Sequence, residues 1–141
     1  MSTINQHTIL IAEDDADDRL MIQEAFSEIG LGDAVRFVED GQELMTRLGG
    51  SSTATPSMII IDLNMPRKDG REALRDIKED SRLRRIPVVV LTTSKSPEDI
   101  RNDYSLGANC YITKPVTFEA LLTMVQTFQK FWFGVVRLPS K

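Results

Sequence analysis

One cysteine, one histidine and one tryptophan stand among 141 residues, and basic side chains are outnumbered by acidic ones. Each scarcity excludes something. A single Cys110 forms no disulfide framework and no multi-cysteine zinc site, and it suits a reducing compartment. The lone His7, in a polar N-terminal stretch, cannot carry kinase or histidine phosphotransfer chemistry. Seventeen Lys and Arg against 21 Asp and Glu leave a net charge of −4, which argues against a nucleic-acid partner held by phosphate contacts. No apolar run approaches the roughly 20 residues of a membrane span, and the polar segment before Thr8 is not a signal peptide. A cytoplasmic protein that touches neither nucleic acid nor membrane is expected. With 41% hydrophobic residues the chain can build a core without staples. It shows no internal repeat and no linker, so residues 1–141 read as one domain, with 132–141 as a C-terminal extension.

What is present alternates between two periods. Short β-branched runs occur at Thr8–Ala12, Ala34–Val38, Met58–Ile61, Val88–Leu91 and Cys110–Ile112. The first, third and fourth are continuously apolar, as strands buried on both faces of a parallel sheet are. Between them lie amphipathic stretches at Asp17–Ile29, Gly41–Leu48, Arg71–Asp80, Pro97–Leu106 and Phe118–Phe131. In the first, Leu20, Met21, Ala25, Phe26 and Ile29 form the expected apolar face, and Gly30 its stop. Ser96 and Pro97 open the fourth as N-cap and first helical residue. Residues 49–56, rich in Gly, Ser and Thr, read as a flexible loop. Five strands alternating with five helices predict a doubly wound α/β fold with right-handed crossovers.

In such a sheet ligands bind at the carboxyl ends of the strands, so the polar residues there are the candidates for function. Strand one ends in Glu13-Asp14-Asp15, strand three in Asp62 and strand four in Thr92, and strand five leads to Lys114-Pro115. Any one of these alone reads as an ordinary solvated loop residue. Together they place an acid cluster, a lone aspartate, a hydroxyl and a lysine on one rim. Clustered carboxylates repel unless a cation sits among them, and Mg2+ takes one or two carboxylates plus a phosphate oxygen. Lysine offers a compact charge for a second phosphoryl oxygen and threonine a hydrogen bond for a third. The set is suited to a phosphoryl group on Asp62, aspartate being a nucleophile that forms acyl phosphates.

These residues, with Asp62-Leu-Asn64-Met-Pro66, Asp69-Gly70, Pro87–Thr92 and Gly107–Pro115, give the chain its resemblance to the receiver domain of two-component response regulators over about Thr8 to Lys130. The resemblance implies a flavodoxin-like receiver fold. It makes Asp62 the acceptor of a phosphoryl group from a histidine kinase phosphohistidine. Asp14 and Asp62 become side-chain ligands of Mg2+, with Glu13 acting through water and the backbone carbonyl of Asn64 completing the site. Thr92 and Lys114 become the phosphoryl-oxygen-binding pair, Tyr111 the aromatic switch, and Asn64 and Ser94 the side chains that tune phosphoryl lifetime. The Lys114–Pro115 bond is then expected to be cis, and Asp15 to point away from the site.

A rival enzyme reading is a haloacid-dehalogenase-like phosphatase, but its acid/base aspartate would stand where Asn64 does. We therefore expect a protein that assists only its own phosphorylation and dephosphorylation. Most response regulators carry an output domain, for which this chain leaves no room, so its output is either a switch in binding or self-association, or drainage of phosphate as a sink or shuttle in a relay. Phe128, Phe131, Trp132 and Phe133 are four of nine aromatics, and with Val135, Val136 and Leu138 they fall on too many sides of one helix to be core alone. This tail, the Ile-Ala-Glu-Asp-Asp opening and the long loop before strand three resemble phytochrome-associated single-domain regulators. That likeness implies a homodimer through the last helix and tail, and a bacteriophytochrome or hybrid histidine kinase as donor.

Overall fold

Five parallel strands form one sheet in the order β2-β1-β3-β4-β5, in a computed structural model that describes residues 8–49, 55–63, 65, 70–93 and 97–132, apart from the side chains of Asp103 and Trp132. The strands are β1 (Ile9–Ala12), β2 (Val35–Val38), β3 (Met58–Asp62), β4 (Val88–Thr92) and β5 (Cys110–Thr113). The helices are α1 (Ala16–Glu28), α2 (Gly41–Gly49), α3 (Gly70–Glu79), α4 (Pro97–Ser105) and α5 (Phe118–Trp132). This is the doubly wound architecture expected. No helix among the described residues is long and apolar enough to cross a membrane.

The continuous apolar runs are the inner strands. Every residue of β1, β3 and β4 is buried, because helices cover both faces and alternation has no solvent side to mark. Successive residues of β1 feed opposite half-cores. Leu10 and Ala12 pack with Leu44, Leu74 and Ile77 under α2 and α3. Ile9 and Ile11 pack with Phe26, Val125 and Phe128 under α1 and α5. At the edge, β2 keeps only Val35 and Val38 fully buried, and β5 is half-exposed.

The apolar face of α1 differs from the expected one. Leu20 is 62% exposed, whereas Ile22, Ala25 and Phe26 are buried. Steps of three and four residues through Ile22, Ala25, Phe26 and Ile29 make the true stripe, and Leu20 lies about 200° away from Ile22 on a helix of 3.6 residues per turn. Asp15 is the N-cap of α1, its Oδ1 accepting from the backbone N–H groups of Asp17 at 2.8 Å and Asp18 at 3.3 Å, which fixes the orientation of the first turn. Gly30 stops the helix at φ +81°. The last helix includes Trp132, one residue beyond the Phe131 end expected for it, while residues 133–141 of the expected extension, like Ser96, lie outside the described ones.

Candidate functional site

The parallel ladder continues past the strand ends and delivers the rim residues in register. Glu13 N–H donates to the Val38 carbonyl at 2.9 Å, Leu63 N–H to Leu91 at 3.0 Å, and Lys114 N–H to Thr92 at 2.8 Å. Asp62 and Thr92 are the last residues of β3 and β4. Glu13, Asp62 and Thr92 are buried, at 1%, 2% and 1% exposure, while Asp14 is exposed. One carboxylate oxygen from each of Glu13, Asp14 and Asp62 lies within 4.8 Å of the others.

Lys114 supplies the counter-charge. Its Nζ stands 2.9 Å from Asp62 Oδ2, 3.0 Å from Glu13 Oε1 and 2.9 Å from Asp18 Oδ2. Burial disfavours its ammonium, but the contacts with Asp62, Asp18 and Glu13 outweigh burial and hold its pKa above the usual lysine value. The Glu13 carboxyl is pushed up to about 7, chiefly because burial desolvates its charged form. The Asp15 backbone N–H, 3.1 Å from Glu13 Oε2, opposes that shift, the Asp62 charge reinforces it, and Lys114 opposes it. Glu13 Oε1 faces Lys114 as an ion contact without an aligned hydrogen bond.

A hard dication fits this donor set. Three carboxylates converge, and among the described residues one of their buried oxygens has no aligned donor and the charge balancing them is the Lys114 ammonium. Holding Glu13 charged and buried should cost stability when no cation is present. Glu13→Gln, which can keep the Asp15 N–H bond, is therefore expected to raise the stability of the cation-free protein by about 1 kcal/mol. A denaturant midpoint measured in a chelator checks this, and a clear loss would mean that the Glu13–Lys114 attraction outweighs desolvation.

Tyr111 is half-buried against the α2/α3 half-core. Its ring centroid lies 6.2 Å from that of Tyr104 in α4, and its backbone N–H donates to the Tyr104 hydroxyl at 3.2 Å. Two participants escaped the sequence reading. Tyr104 gave no signal beyond being an aromatic on a polar helix. Asp18 read as one more acid in a helix's first turn. Asn64, Ser94 and Asp69 lie outside the described residues. One expectation is corrected, since no described peptide bond is cis and Lys114–Pro115 is trans. Trans is the lower-energy isomer by about 0.5–1 kcal/mol, and it already brings Nζ to Asp62.

A five-stranded parallel sheet with an acid cluster, a buried aspartate and a lysine at its carboxyl rim defines an α/β receiver-type protein. Residues 9–126 match the response regulator receiver domain, and the chain belongs to that family. It is 39% identical over 136 residues to response regulator Rcp1 of Synechocystis sp., covering 94% of this chain and 92% of that protein. It is equally, 39%, identical over 135 residues to the probable methanogenesis regulatory protein FilR2 of Methanothrix harundinacea, covering 94% and 87%. The structure of phosphorylated cyanobacterial phytochrome response regulator RcpA superposes with a TM-score of 0.86 at 42% identity, covering 95% of this chain and 99% of that one. The Mn2+-bound form of Rcp1 gives 0.83 at 38% identity, covering 95% and 99%.

Proposed function

We propose that this receiver takes a phosphoryl group from the phosphohistidine of a histidine kinase onto Asp62, and that the phosphorylated state changes its partner binding or self-association. The observation that carries the reading is the Lys114 ammonium, 2.9 Å from Oδ2 of the buried Asp62 and beside the acid cluster. An Asp62 carboxylate oxygen attacks phosphorus in line. The P–N bond breaks, its electron pair goes to the imidazole nitrogen, and that ring takes a proton. Lys114 and Thr92 receive two of the phosphoryl oxygens, by charge and by hydroxyl donation. Mg2+ would be held by Asp14, Asp62 and the backbone carbonyl of Asn64, with Glu13 acting through water, and would supply further charge neutralisation. Inward movement of Thr92 frees space into which the Tyr111 ring turns, altering its packing with Tyr104 on α4.

Likeness to RcpA and Rcp1 favours a bacteriophytochrome or hybrid kinase as donor, in the cytoplasm. An outward-facing Phe131, 50% exposed on α5 while Phe128 is buried, favours a homodimer through that helix and the tail. Intact-mass measurement after acetyl phosphate and Mg2+, with sedimentation of the same samples, tests both statements. One hydroxylamine-labile phosphoryl adduct and a shift toward dimer are expected. No adduct with Mg2+ saturating would overturn the phosphoacceptor reading, and an adduct with unchanged sedimentation would move the output to another partner or to a phosphate sink.

A further inference from the structure

Lys114 has a third carboxylate partner, and that partner lies outside the cluster able to hold a dication. The Asp18 Oδ2 contact at 2.9 Å comes from the first turn of α1. The other two, Glu13 and Asp62, are both in the acid cluster. The Asp18 side chain is 32% exposed, against 1% and 3% for those of Glu13 and Asp62, so it forms the solvent-side wall of the lysine's position. Asp15 caps the same turn and takes the Asp18 backbone N–H, which fixes the backbone from which the carboxylate extends. The lysine is confined on a further side, lining a shallow cavity with Met21, Ile22, Leu91, Pro115 and Leu121.

The two inner partners change during the reaction. A dication held by the cluster would compete for Glu13 and Asp62 and would repel the ammonium. Esterification of Asp62 turns a carboxylate acceptor into an acyl phosphate whose charged oxygens lie farther out. The Asp18 carboxylate is the one partner whose chemistry is the same before and after. We infer that Asp18 is a positioning residue that receives the Lys114 ammonium when a dication enters the cluster and holds it aimed at the phosphoryl group on Asp62. The inference rests on the phosphoacceptor reading above. It gives the ammonium somewhere to go without leaving the rim, so cation binding and phosphoryl acceptance both gain from the same side chain.

The test compares Asp18→Asn, Lys114→Met, the double variant and Asp18→Glu. Asp18→Asn is expected to weaken Mn2+ binding, followed by the ion's electron paramagnetic resonance, and to slow labelling by acetyl phosphate about tenfold. In the Lys114→Met background the same change should alter either quantity less than about twofold, since no ammonium remains to be placed. Asp18→Glu should recover most of the labelling rate. The side-chain nitrogen resonance of Lys114 should shift in Asp18→Asn, even in unlabelled protein. Equal losses with and without Lys114, or an unmoved Lys114 resonance, would overturn the assignment. Wild-type protein that never labels would refute the phosphoacceptor reading, while Mn2+ affinity and the resonance would still decide the role of Asp18.

Discussion

Asp62→Asn should carry no acyl phosphate after an incubation that labels the wild-type protein fully, a loss of about a thousandfold or more in rate. The carboxamide presents no anionic oxygen to phosphorus, and the Lys114 ammonium has no lone pair with which to take its place. The less obvious half of this prediction concerns stability. Removing one member of a buried ion pair commonly costs about 3–5 kcal/mol, because the other charge is left bare. Here Lys114 would still face Glu13 at 3.0 Å and Asp18 at 2.9 Å. Neutralising Asp62 also removes a negative charge that disfavours ionised Glu13. The cation-free variant should therefore melt at the wild-type temperature or above it. Stoichiometric labelling of Asp62→Asn would move the acceptor to another carboxylate, and a collapse in melting temperature would make Asp62 a structural keystone instead.

The sheet was legible because its inner strands are apolar without interruption. Met58–Ile61 and Val88–Leu91 allow no alternating reading, and their burial on both faces is the reason. Their ends were legible for the same reason, since Asp62 and Thr92 are polar residues closing apolar runs at the rim where ligands bind. Local pattern failed where tertiary contacts decide. Leu20 looked like core by type, but the side of α1 that meets the sheet runs through Ile22 and Phe26. The Lys114–Pro115 isomer depends on a gap too small for local sequence to settle. Asp18 acquires its partner only when the chain after β5 returns beside α1.

Geometry at the rim is only as good as the packing beneath it. Glu13, Asp62 and Lys114 are each held by backbone hydrogen bonds that continue the ladder or by burial between the two half-cores. Both half-cores share the inner strands, so a displacement on either face reaches Asp62. Among the described residues the charges at the site are mutually repulsive apart from Lys114, so the fold holds them together at a cost. A dication entering such a site would relieve that repulsion.

Gly70→Val should destabilise the protein by about 3 kcal/mol and slow phosphoryl acceptance together. Gly70 opens α3, and a Cβ there would meet the Leu63 Cα at 2.8 Å, the Asp62 carbonyl oxygen at 2.9 Å and Ile61 Cγ2 at 2.9 Å. Two of these are backbone atoms of the segment that carries Asp62, and a strand hydrogen-bonded on both sides cannot retreat cheaply. Sequence alone marked Asp69-Gly70 as part of a motif without saying why glycine is needed. The reason is the close approach of a helix start to the strand that presents Asp62. A Cβ at Gly49, the last residue of α2, meets nothing within 4 Å, so Gly49→Ala should leave both stability and labelling nearly unchanged. Denaturant midpoints and acetyl phosphate labelling of the two variants make the comparison. If Gly70→Val behaved like Gly49→Ala, α3 would have to be free to ride outward, and the tight seat beneath Asp62 would have no bearing on its reactivity.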